Sequence, residues 1–369
     1  MLRGAFIGFG NVAAKAHLPG WQSRDDVRIL AATDALSARG EAFRAACPQA
    51  RWHDSVDALL SGETLDFVDI CTPPSSHATI IDQALQAGLH VLCEKPLVTR
   101  MADAQIVAAA ARRAGRVVHA VHNWLKAPIC LKISALIAEG AIGRTRSIRW
   151  RTLRTQPAVA VVPDGGANWR ADPTIAGGGI LFDHGWHALY CVVHWAGTPR
   201  AIAAKLEKRR FHEWPLEDTA SLTLDLISGT GDIYLTWAGE ERANTIEIEG
   251  ELGHISVAND GVVLKTNRGR EHWFCSPALS KGSHHQDWFV GVVDDFCAAA
   301  TAGDTGNLEE AMLCARLIDL AQRSSAAGGV RLALDEDSAS RTSNLPRQVC
   351  HRPSPFLIGP DSQGSIHAA

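Results

Sequence analysis

Short apolar runs alternate with helical patterns through about the first 120 residues, and this alternation constrains the fold more than any other feature. The runs predicted to be strands span residues 2–9, 27–34, 66–73, 90–96 and 116–123. The helical patterns between them lie near Val12–Trp21, Leu36–Ala46, Ser76–Ala87 and Thr99–Ala114. Strands that alternate with helices indicate βαβ units and a mainly parallel, doubly wound sheet.

The pattern changes after Asn123. Helices are predicted near residues 128–139, 180–197, 284–302 and 308–324, with a basic strand over 144–155. A loop rich in proline and glycine is predicted from Gln156 to Gly179. From Asp218 to about Phe274, apolar residues alternate with polar ones at a period of two. This period predicts an antiparallel sheet with one buried face and one face open to solvent or to a partner subunit.

Composition excludes several classes of protein. The 369 residues carry a formal charge of −4, and 46% of them are hydrophobic, which is typical of a soluble globular chain with two cores. We find no basic block that would favour nucleic acid and no apolar run long enough for a membrane span. The first residues, "MLRGAFIGFGN", lack the apolar region of a secretion signal, so we expect a cytoplasmic protein. The nine scattered cysteines contain no C-x-x-C pair and indicate reduced thiols.

A glycine-rich turn follows the first predicted strand and opens the first predicted helix. It reads Gly8-x-Gly10-x-x-Ala13. Gly8 permits the tight turn, Gly10 lets the backbone approach a pyrophosphate, and Ala13 allows the helix to pack close to the strand. We therefore predict that Gly8, Gly10, Asn11, Val12 and Ala13 bind a dinucleotide.

Asp34 ends the second predicted strand, where an acid would bind the ribose hydroxyls of NAD. Its charge would repel the 2′-phosphate of NADP, although Arg39 lies close enough in sequence to leave NADP open. The alternative is that Asp34 caps the next helix. We predict NAD as the cofactor, with NADP possible.

The chain is thus predicted to be α/β, with an N-terminal Rossmann domain over residues 1–122 that contains the doubly wound parallel sheet. Residues 123–337 are predicted to form a C-terminal α+β domain with a large, mostly antiparallel sheet, one face of which is open to solvent or to a partner subunit. Residues 338–369 are rich in Ser, Pro and Arg, and we predict a mobile tail.

Several motifs occur in an order that resembles a known family. They are "GFGNVAA", "CTPPSSH", "CEKP", "HNWLKAP" with "EGAIG", and "GGGILFDHGWH". Together they resemble the Gfo/Idh/MocA family of NAD(P)-dependent oxidoreductases over roughly residues 2–335. The resemblance implies hydride transfer at a carbinol carbon of a sugar, cyclitol or related polyol. It also implies that residues 123–337 bind substrate and mediate oligomerisation, as a homodimer or homotetramer.

Glu94, Lys95 and Pro96 follow an apolar strand directly. Ligands of open α/β sheets bind beyond the carboxyl ends of the strands, so we expect Lys95 beside the nicotinamide. Its ammonium group would hold the substrate hydroxyl and stabilise the oxygen as the proton leaves. Glu94 would steady the lysine or contact the cofactor. The alternative is an ordinary surface turn.

Asp183 and His187 lie four residues apart on one predicted helix, so they share a face. We predict His187 as the general base for the hydroxyl proton, with Asp183 orienting it or binding a neighbouring hydroxyl. The motif D-H-x-x-H could also bind zinc together with His184, but no third ligand motif follows, so we predict no metal site. A third alternative is that both histidines are structural.

The remaining predicted site residues follow other strands. Thr72 and Pro73 are expected against the cofactor ribose and nicotinamide, and His77 either contacts the cofactor or caps a helix. Asn123 and Trp124 leave the last strand of the first sheet and are predicted to contact substrate. We expect no nucleic acid or membrane partner.

The sequence departs from the family pattern at two positions. Tyr190 stands where the family commonly has Asp, and His184 stands where an apolar residue is frequent. Both alter the predicted pocket, so the substrate cannot be taken from a relative. Two other functions stay open. The protein could retain its cofactor and use it cyclically, as in sugar-to-sugar transfer or glycoside cleavage, or it could be a non-catalytic NAD-dependent sensor.

Overall fold

A computed structural model describes residues 1–157, 168–282 and 284–334. Its first sheet contains β1 (Leu2–Ile7), β2 (Val27–Thr33), β3 (Arg51–His53), β4 (Phe67–Ile70), β5 (His90–Cys93) and β6 (Val118–Ala120). All six strands are parallel, in the order β3-β2-β1-β4-β5-β6. The predicted doubly wound sheet is confirmed. The strand order reverses between β1 and β4, and ligands of such sheets bind at this switch point.

The helices of this half surround the sheet. A π-helical turn (Ala13–His17) leads into α1 (Leu18–Gln22), and α2 (Arg39–Ala46), α3 (Val56–Gly62), α4 (His77–Gln86) and α5 (Met101–Ala114) follow. Only β3 and α3 were not predicted. β3 has three residues and no buried position, so it carries no period-two pattern. α3 does carry a start signal, because Ser55 accepts a hydrogen bond from the Ala58 amide as an N-cap.

The second sheet has nine strands. They are β7 (Thr145–Leu153), β8 (Ala201–Glu207), β9 (Thr219–Leu226), β10 (Gly229–Thr236), β11 (Ala243–Gly250), β12 (Gly253–Ala258), β13 (Gly261–Thr266), β14 (Gly269–Phe274) and β15 (Leu332–Ala333). Their order is β14-β13-β12-β11-β7-β10-β9-β8-β15, and only β7 and β10 pair in parallel. The predicted large, mostly antiparallel sheet is confirmed; β8 and the short β15 were not predicted.

Helices cover one face of the second sheet. They include α6 (Pro128–Ala138) and α8 (Trp186–Ala196), and a short α7 (Pro173–Ala176) precedes the π-helical turn Leu181–Gly185. Trp150 of β7 is fully buried and stacks between Trp124 and Trp195. The alternate residues of β9, β10 and β11 that face these helices are buried, which gives the period of two seen in the sequence.

The last two helices connect the halves rather than only closing the second one. α9 (Gln286–Ala302) packs on α1, and its Phe289 and Phe296 enter the same apolar cluster as Trp21 and Phe67. α10 (Gly306–Ala326) contacts β8 and α5. The two sheets thus lie on either side of residue 122, whereas one apolar cluster contains residues from both sides of it.

Two sequence predictions concern the remaining residues. The tail predicted over residues 338–369 lies outside the described residues, as does part of the predicted loop 156–179. Within the described ranges, we find no helix with the length and apolar character needed to cross a membrane.

Phe296 of α9 provides a test of the packing between the two halves of the chain. Its ring is fully buried and lies 5.4 Å from the Phe67 ring and 5.8 Å from the Trp21 ring. We predict that Phe296→Ala lowers the free energy of unfolding by about 3–5 kcal/mol, because it leaves a cavity between the halves. Urea unfolding, monitored by tryptophan fluorescence, measures this change in the free energy of unfolding. Phe274→Ala is the control, since Phe274 is 72% exposed and should change stability little. Equal effects of the two variants would contradict this packing.

Candidate active site

A cleft of about 720 Å³ lies where the carboxyl ends of β1, β4 and β5 face the second half of the chain. The first half contributes the predicted residues Gly10, Asn11, Val12, Asp34, Thr72, Pro73, Glu94 and Lys95 to its wall. The second half contributes the predicted residues Asn123, Trp124, Asp183 and His187. Residues from distant parts of the sequence thus meet in one cleft of the size that small-molecule and cofactor sites have.

The glycine turn has the geometry that a dinucleotide needs. Gly8 has φ of +90°, and a Cβ there would lie 2.8 Å from the backbone of Cys71 and Thr72. Gly10 faces open space in the cleft wall, where a Cβ would meet no atom within 4 Å. Ala13 is fully buried below the turn. The turn is therefore closed behind Gly8 and open in front of Gly10, and the residues present fit a pyrophosphate that approaches the backbone.

Asp34 follows the last residue of β2 and lines one end of the cleft. Its carboxylate oxygens accept hydrogen bonds from the backbone amides of Phe9 (2.7 Å) and Leu36 (2.8 Å). α2 begins only at Arg39, so Asp34 is not its N-cap. A carboxylate has about four acceptor positions, and these two amides use two of them. Arg39 also lines this end.

Lys95 connects the two halves of the chain inside the cleft. Its Nζ donates a hydrogen bond to the backbone carbonyl of Asp183 (2.8 Å) and lies 3.4 Å from Asp183 Oδ1. Arg170 Nη1 lies 3.4 Å from the same oxygen, and His184 Nδ1 lies 3.0 Å from Oδ2. Burial alone would raise the pKa of Asp183, but these positive and polar groups hold it well below its ordinary value. Asp183 is therefore an anion surrounded by donors.

Tyr190 orients His187, so Asp183 does not have the first of the two roles that the sequence left open for it, which were to orient His187 or to bind a neighbouring hydroxyl. The Nδ1 of His187 lies 2.8 Å from the Tyr190 hydroxyl, which accepts a hydrogen bond from the Trp124 amide (2.9 Å). The Trp124 ring stacks on the imidazole at 4.4 Å. Burial, and then the charge of Lys95, lower the pKa of His187 well below its ordinary value. The imidazole is therefore neutral at neutral pH.

A backbone contact fixes the turn that carries Asp183. Glu217 Oε1 accepts hydrogen bonds from the amides of Gly179 (2.9 Å) and Leu181 (3.2 Å), and a Cβ on Gly179 would lie 1.9 Å from the Glu217 carbonyl oxygen. The glycine is required by this close approach. A π-helical turn follows, and such turns occur frequently at functional sites.

A buried ionic chain behind Glu94 was not predicted from the sequence. His17 Nδ1 donates to Asp69 (2.9 Å) and His17 Nε2 donates to Glu94 Oε1 (2.9 Å), while Glu94 Oε2 accepts from the Lys95 amide (2.9 Å). Trp21 Nε1 also donates to Asp69 (2.7 Å). Burial alone would lower the pKa of His17, but the charge of Asp69 and hydrogen bonds to both carboxylates raise it to about 9. His17 is thus an imidazolium that holds Glu94 and, through it, the backbone of Lys95.

His77 has neither of its two predicted positions, because it does not line the cleft and because Ser76, not His77, is the N-cap of α4. His77 is fully buried. Its Nδ1 lies 3.0 Å from the Pro96 carbonyl oxygen and its Nε2 lies 2.9 Å from that of Thr72. Burial lowers its pKa, so the neutral ring donates to one carbonyl at a time. His77 therefore connects the segments that follow β4 and β5, on the protein side of the cleft.

Comparisons with known proteins identify the class. Residues 2–122 match the sequence family described as "Oxidoreductase family, NAD-binding Rossmann fold", and residues 130–256 match the "GFO/IDH/MocA C-terminal domain". The chain belongs to this family of oxidoreductases, which confirms the resemblance and the NAD-binding fold.

The similarity to individual members of the family is low or covers only part of the chain. The chain is 37% identical to the D-apiose dehydrogenase of Paraburkholderia graminis over 141 residues, which are 38% of this chain and 37% of that protein. It is 29% identical to the D-glucoside 3-dehydrogenase of Escherichia coli over 62% of this chain and 68% of that protein. The chain thus spans only about a third of the first relative. A structure of levoglucosan dehydrogenase in complex with NADH shares the fold, with a TM-score of 0.79 and 21% identity over 90% of this chain and 99% of that one.

The ion pairs of His17 with Asp69 and Glu94 predict how the free energy of unfolding depends on pH. Because the pKa of His17 is raised in the folded protein, its contribution is complete below about pH 6.5 and is lost as the pH rises through about 9. We predict that this contribution, on the order of 3 kcal/mol, disappears from the wild type between these values. His17→Gln should lower the free energy of unfolding at pH 6 and flatten this dependence. Urea titrations at several pH values measure it, with exposed His212→Gln as the control. A dependence that persists in His17→Gln would contradict the assignment.

Proposed function

We propose that the protein oxidises a secondary hydroxyl of a sugar, cyclitol or related polyol with NAD, or reduces the corresponding ketone. The observation that carries the proposal is the convergence of Lys95, Asp183 and His187 at the inner end of the cleft that holds the glycine turn. The names of the two curated relatives above, both sugar dehydrogenases, support the substrate class. Bound NAD would supply the acceptor for the hydride.

The residues of the chain handle the proton. In the proposed oxidation, the Lys95 ammonium donates a hydrogen bond to the substrate oxygen and stabilises negative charge on it. His187 Nε2 accepts the hydroxyl proton. For this, Nδ1 must keep its hydrogen and donate it to the Tyr190 oxygen, an arrangement that the 2.8 Å separation allows. The neutral imidazole described above is the form that can accept the proton.

Two further residues would position substrate and cofactor. Asn123 Oδ1 is buried at the cleft wall and has no hydrogen-bond partner among the described residues, so it fits an amide or hydroxyl donor. Asp183, already held by Lys95 and Arg170, fits a hydroxyl next to the reacting one. Asp34 favours NAD over NADP, because its charge opposes a 2′-phosphate.

The oligomeric state belongs to the same proposal. The face of β9, β10 and β11 that is not covered by helices carries half-buried, mostly polar residues and offers a flat surface for a second copy. We propose a homodimer or homotetramer; a monomeric mass in light scattering would remove that part without affecting the chemistry.

Lys95→Met tests the proton role. With the polyol or sugar that the wild type turns over, we predict a fall in kcat of about 10²–10⁴-fold, because the oxygen loses its charged donor. The Kd for NAD in calorimetry should change little. Lys208→Met, an exposed lysine outside the cleft, is the control. Wild-type turnover in Lys95→Met would refute the assignment, whereas lost NAD binding would show a cofactor role instead.

Tyr190 provides a pH test of His187. A carboxylate at this position would favour the imidazolium, so Tyr190→Asp should raise the pKa of His187 and move the acid limb of kcat/KM upward by about 1–3 pH units. Tyr190→Phe removes the contact to Nδ1 and should lower kcat without this upward shift. The pH profiles of the two variants and the wild type measure the effect. An acid limb at the same pH in all three would exclude His187 as the base.

A further inference from the structure

Two arginines lie at opposed positions of neighbouring strands in the wall of the cleft, and neither has a role in the reaction proposed above. Arg154 follows the last residue of β7 and Arg242 precedes the first residue of β11. Leu153 pairs with Ala243 across these antiparallel strands, so Arg154 and Arg242 take the next opposed positions. Both line the cleft. Like charges directly opposite each other on neighbouring strands are destabilising, so this arrangement needs a reason.

Arg154 is fixed in a buried position. Arg154 as a whole is only 2% exposed. Nη1 donates to the carbonyls of Leu153 (2.8 Å) and Ala243 (3.1 Å), and Nη2 donates to Asn244 Oδ1 (2.9 Å). Asn244 in turn donates to Thr152 (2.9 Å). The guanidinium is thus held rigidly by neutral acceptors, while its Nε is buried and has no hydrogen-bond partner among the described residues.

Arg242 is exposed where the cleft opens. Its Nε donates to the Ser280 carbonyl and its Nη2 to the Gly282 carbonyl (2.9 Å). Neither Arg154 nor Arg242 has a carboxylate within 4.0 Å in the described part of the chain. The nearby anion, Asp183, is already engaged by Lys95 and Arg170.

The result is an excess of positive charge at one end of the cleft. Burial, and then the charge of Arg242, lower the pKa of Arg154 to about 10, so it still carries its charge at neutral pH. A buried guanidinium without a counter-ion is costly, and a ligand anion offsets that cost. The planar fork of arginine donors matches the oxygens of a carboxylate or a phosphate.

We propose that Arg154 and Arg242 bind an anionic group of the substrate, so that the hydroxyl compound oxidised at Lys95 and His187 is a sugar acid or a sugar phosphate. This inference rests on the proposed function for the reaction, but the anion site itself stands on the two arginines. Arg154 would hold the anion at the floor of the cleft, and Arg242 would close over it at the rim. The anion would also fix which hydroxyl of the substrate faces Lys95.

The first experiment compares matched compounds with the full chain and NAD. D-Gluconate and D-glucuronate represent the carboxylates, D-glucose 6-phosphate represents the phosphates, and D-glucitol and D-glucose are the uncharged partners. We expect kcat/KM for the preferred anion to exceed that of its uncharged partner at least ~100-fold. The anion that reacts distinguishes carboxylate from phosphate. A preference for the uncharged compounds would overturn the inference and leave the proposed dehydrogenase intact.

Variants of the two arginines test whether these residues cause the preference for an anionic substrate. Arg242→Met and Arg154→Lys should each lower the ratio of kcat/KM between the anion and its uncharged partner by about 10–100-fold, chiefly through KM. Lysine is chosen at position 154 because it keeps a positive charge at this buried position, whereas an apolar replacement such as Arg154→Met could prevent folding. Arg113→Met, an exposed arginine of α5, is the control and should leave the ratio unchanged. An unchanged ratio in both site variants would overturn the assignment.

A binding measurement separates this inference from the proposed function. If no compound reduces NAD, calorimetry with D-glucuronate, D-glucose 6-phosphate and inorganic phosphate still tests the anion site. Binding to the wild type that is weakened at least ~10-fold in Arg242→Met supports the site, although the dehydrogenase proposal has failed. No anion binding to the wild type, in the presence or absence of NAD, overturns the inference.

Discussion

The candidate site depends on the contact between the Lys95 ammonium and Asp183, because this contact brings together groups from two separate sheets. Lys95 leaves the end of β5 in the parallel sheet, and Asp183 lies on the π-helical turn that leads into α8 over the antiparallel sheet. The lysine is bound to the backbone carbonyl of Asp183 as well as close to its carboxylate. A displacement of one half of the chain against the other would therefore separate the proposed catalytic groups.

Buried charge is compensated on one side of this contact and not on the other. Behind Lys95, the His17 imidazolium lies between the carboxylates of Asp69 and Glu94, so that chain is satisfied within the protein. On the substrate side, Arg154 and Arg242 have only neutral acceptors in the described ranges. Removing one partner of a buried ion pair leaves an uncompensated charge, so loss of His17 alone should destabilise the fold. Within the described ranges, no carboxylate pairs with the two arginines, so a ligand anion is the counter-ion that we propose for them.

The sequence predicted what depends on local pattern. Alternating strands and helices, the turn at Gly8 and Gly10, and the polar end of β5 follow from periods and motifs of a few residues. It did not predict contacts that depend on pairing across long separations. His17 meets Asp69 and Glu94 across 52 and 77 residues, and Arg154 meets Arg242 only because β7 pairs with β11. His77 was expected to contact the cofactor or to cap a helix because it heads α4; its ring lies instead between the carbonyl oxygens of Thr72 and Pro96. β8 was missed although Ile202 and Ala204 alternate with less buried neighbours.

The most direct test of the central claim is to follow reduced nicotinamide while the purified protein is mixed with NAD, and separately with NADP, and with a panel of cyclitols, aldoses, sugar acids and amino-polyols. We predict reduction of NAD by at least one class of hydroxyl compound, with NADP much less effective because of Asp34. No reduction with any compound, from protein that binds NAD, would contradict the proposed dehydrogenase. A cofactor found to remain bound throughout would then favour an enzyme that oxidises and re-reduces its substrate without releasing NADH.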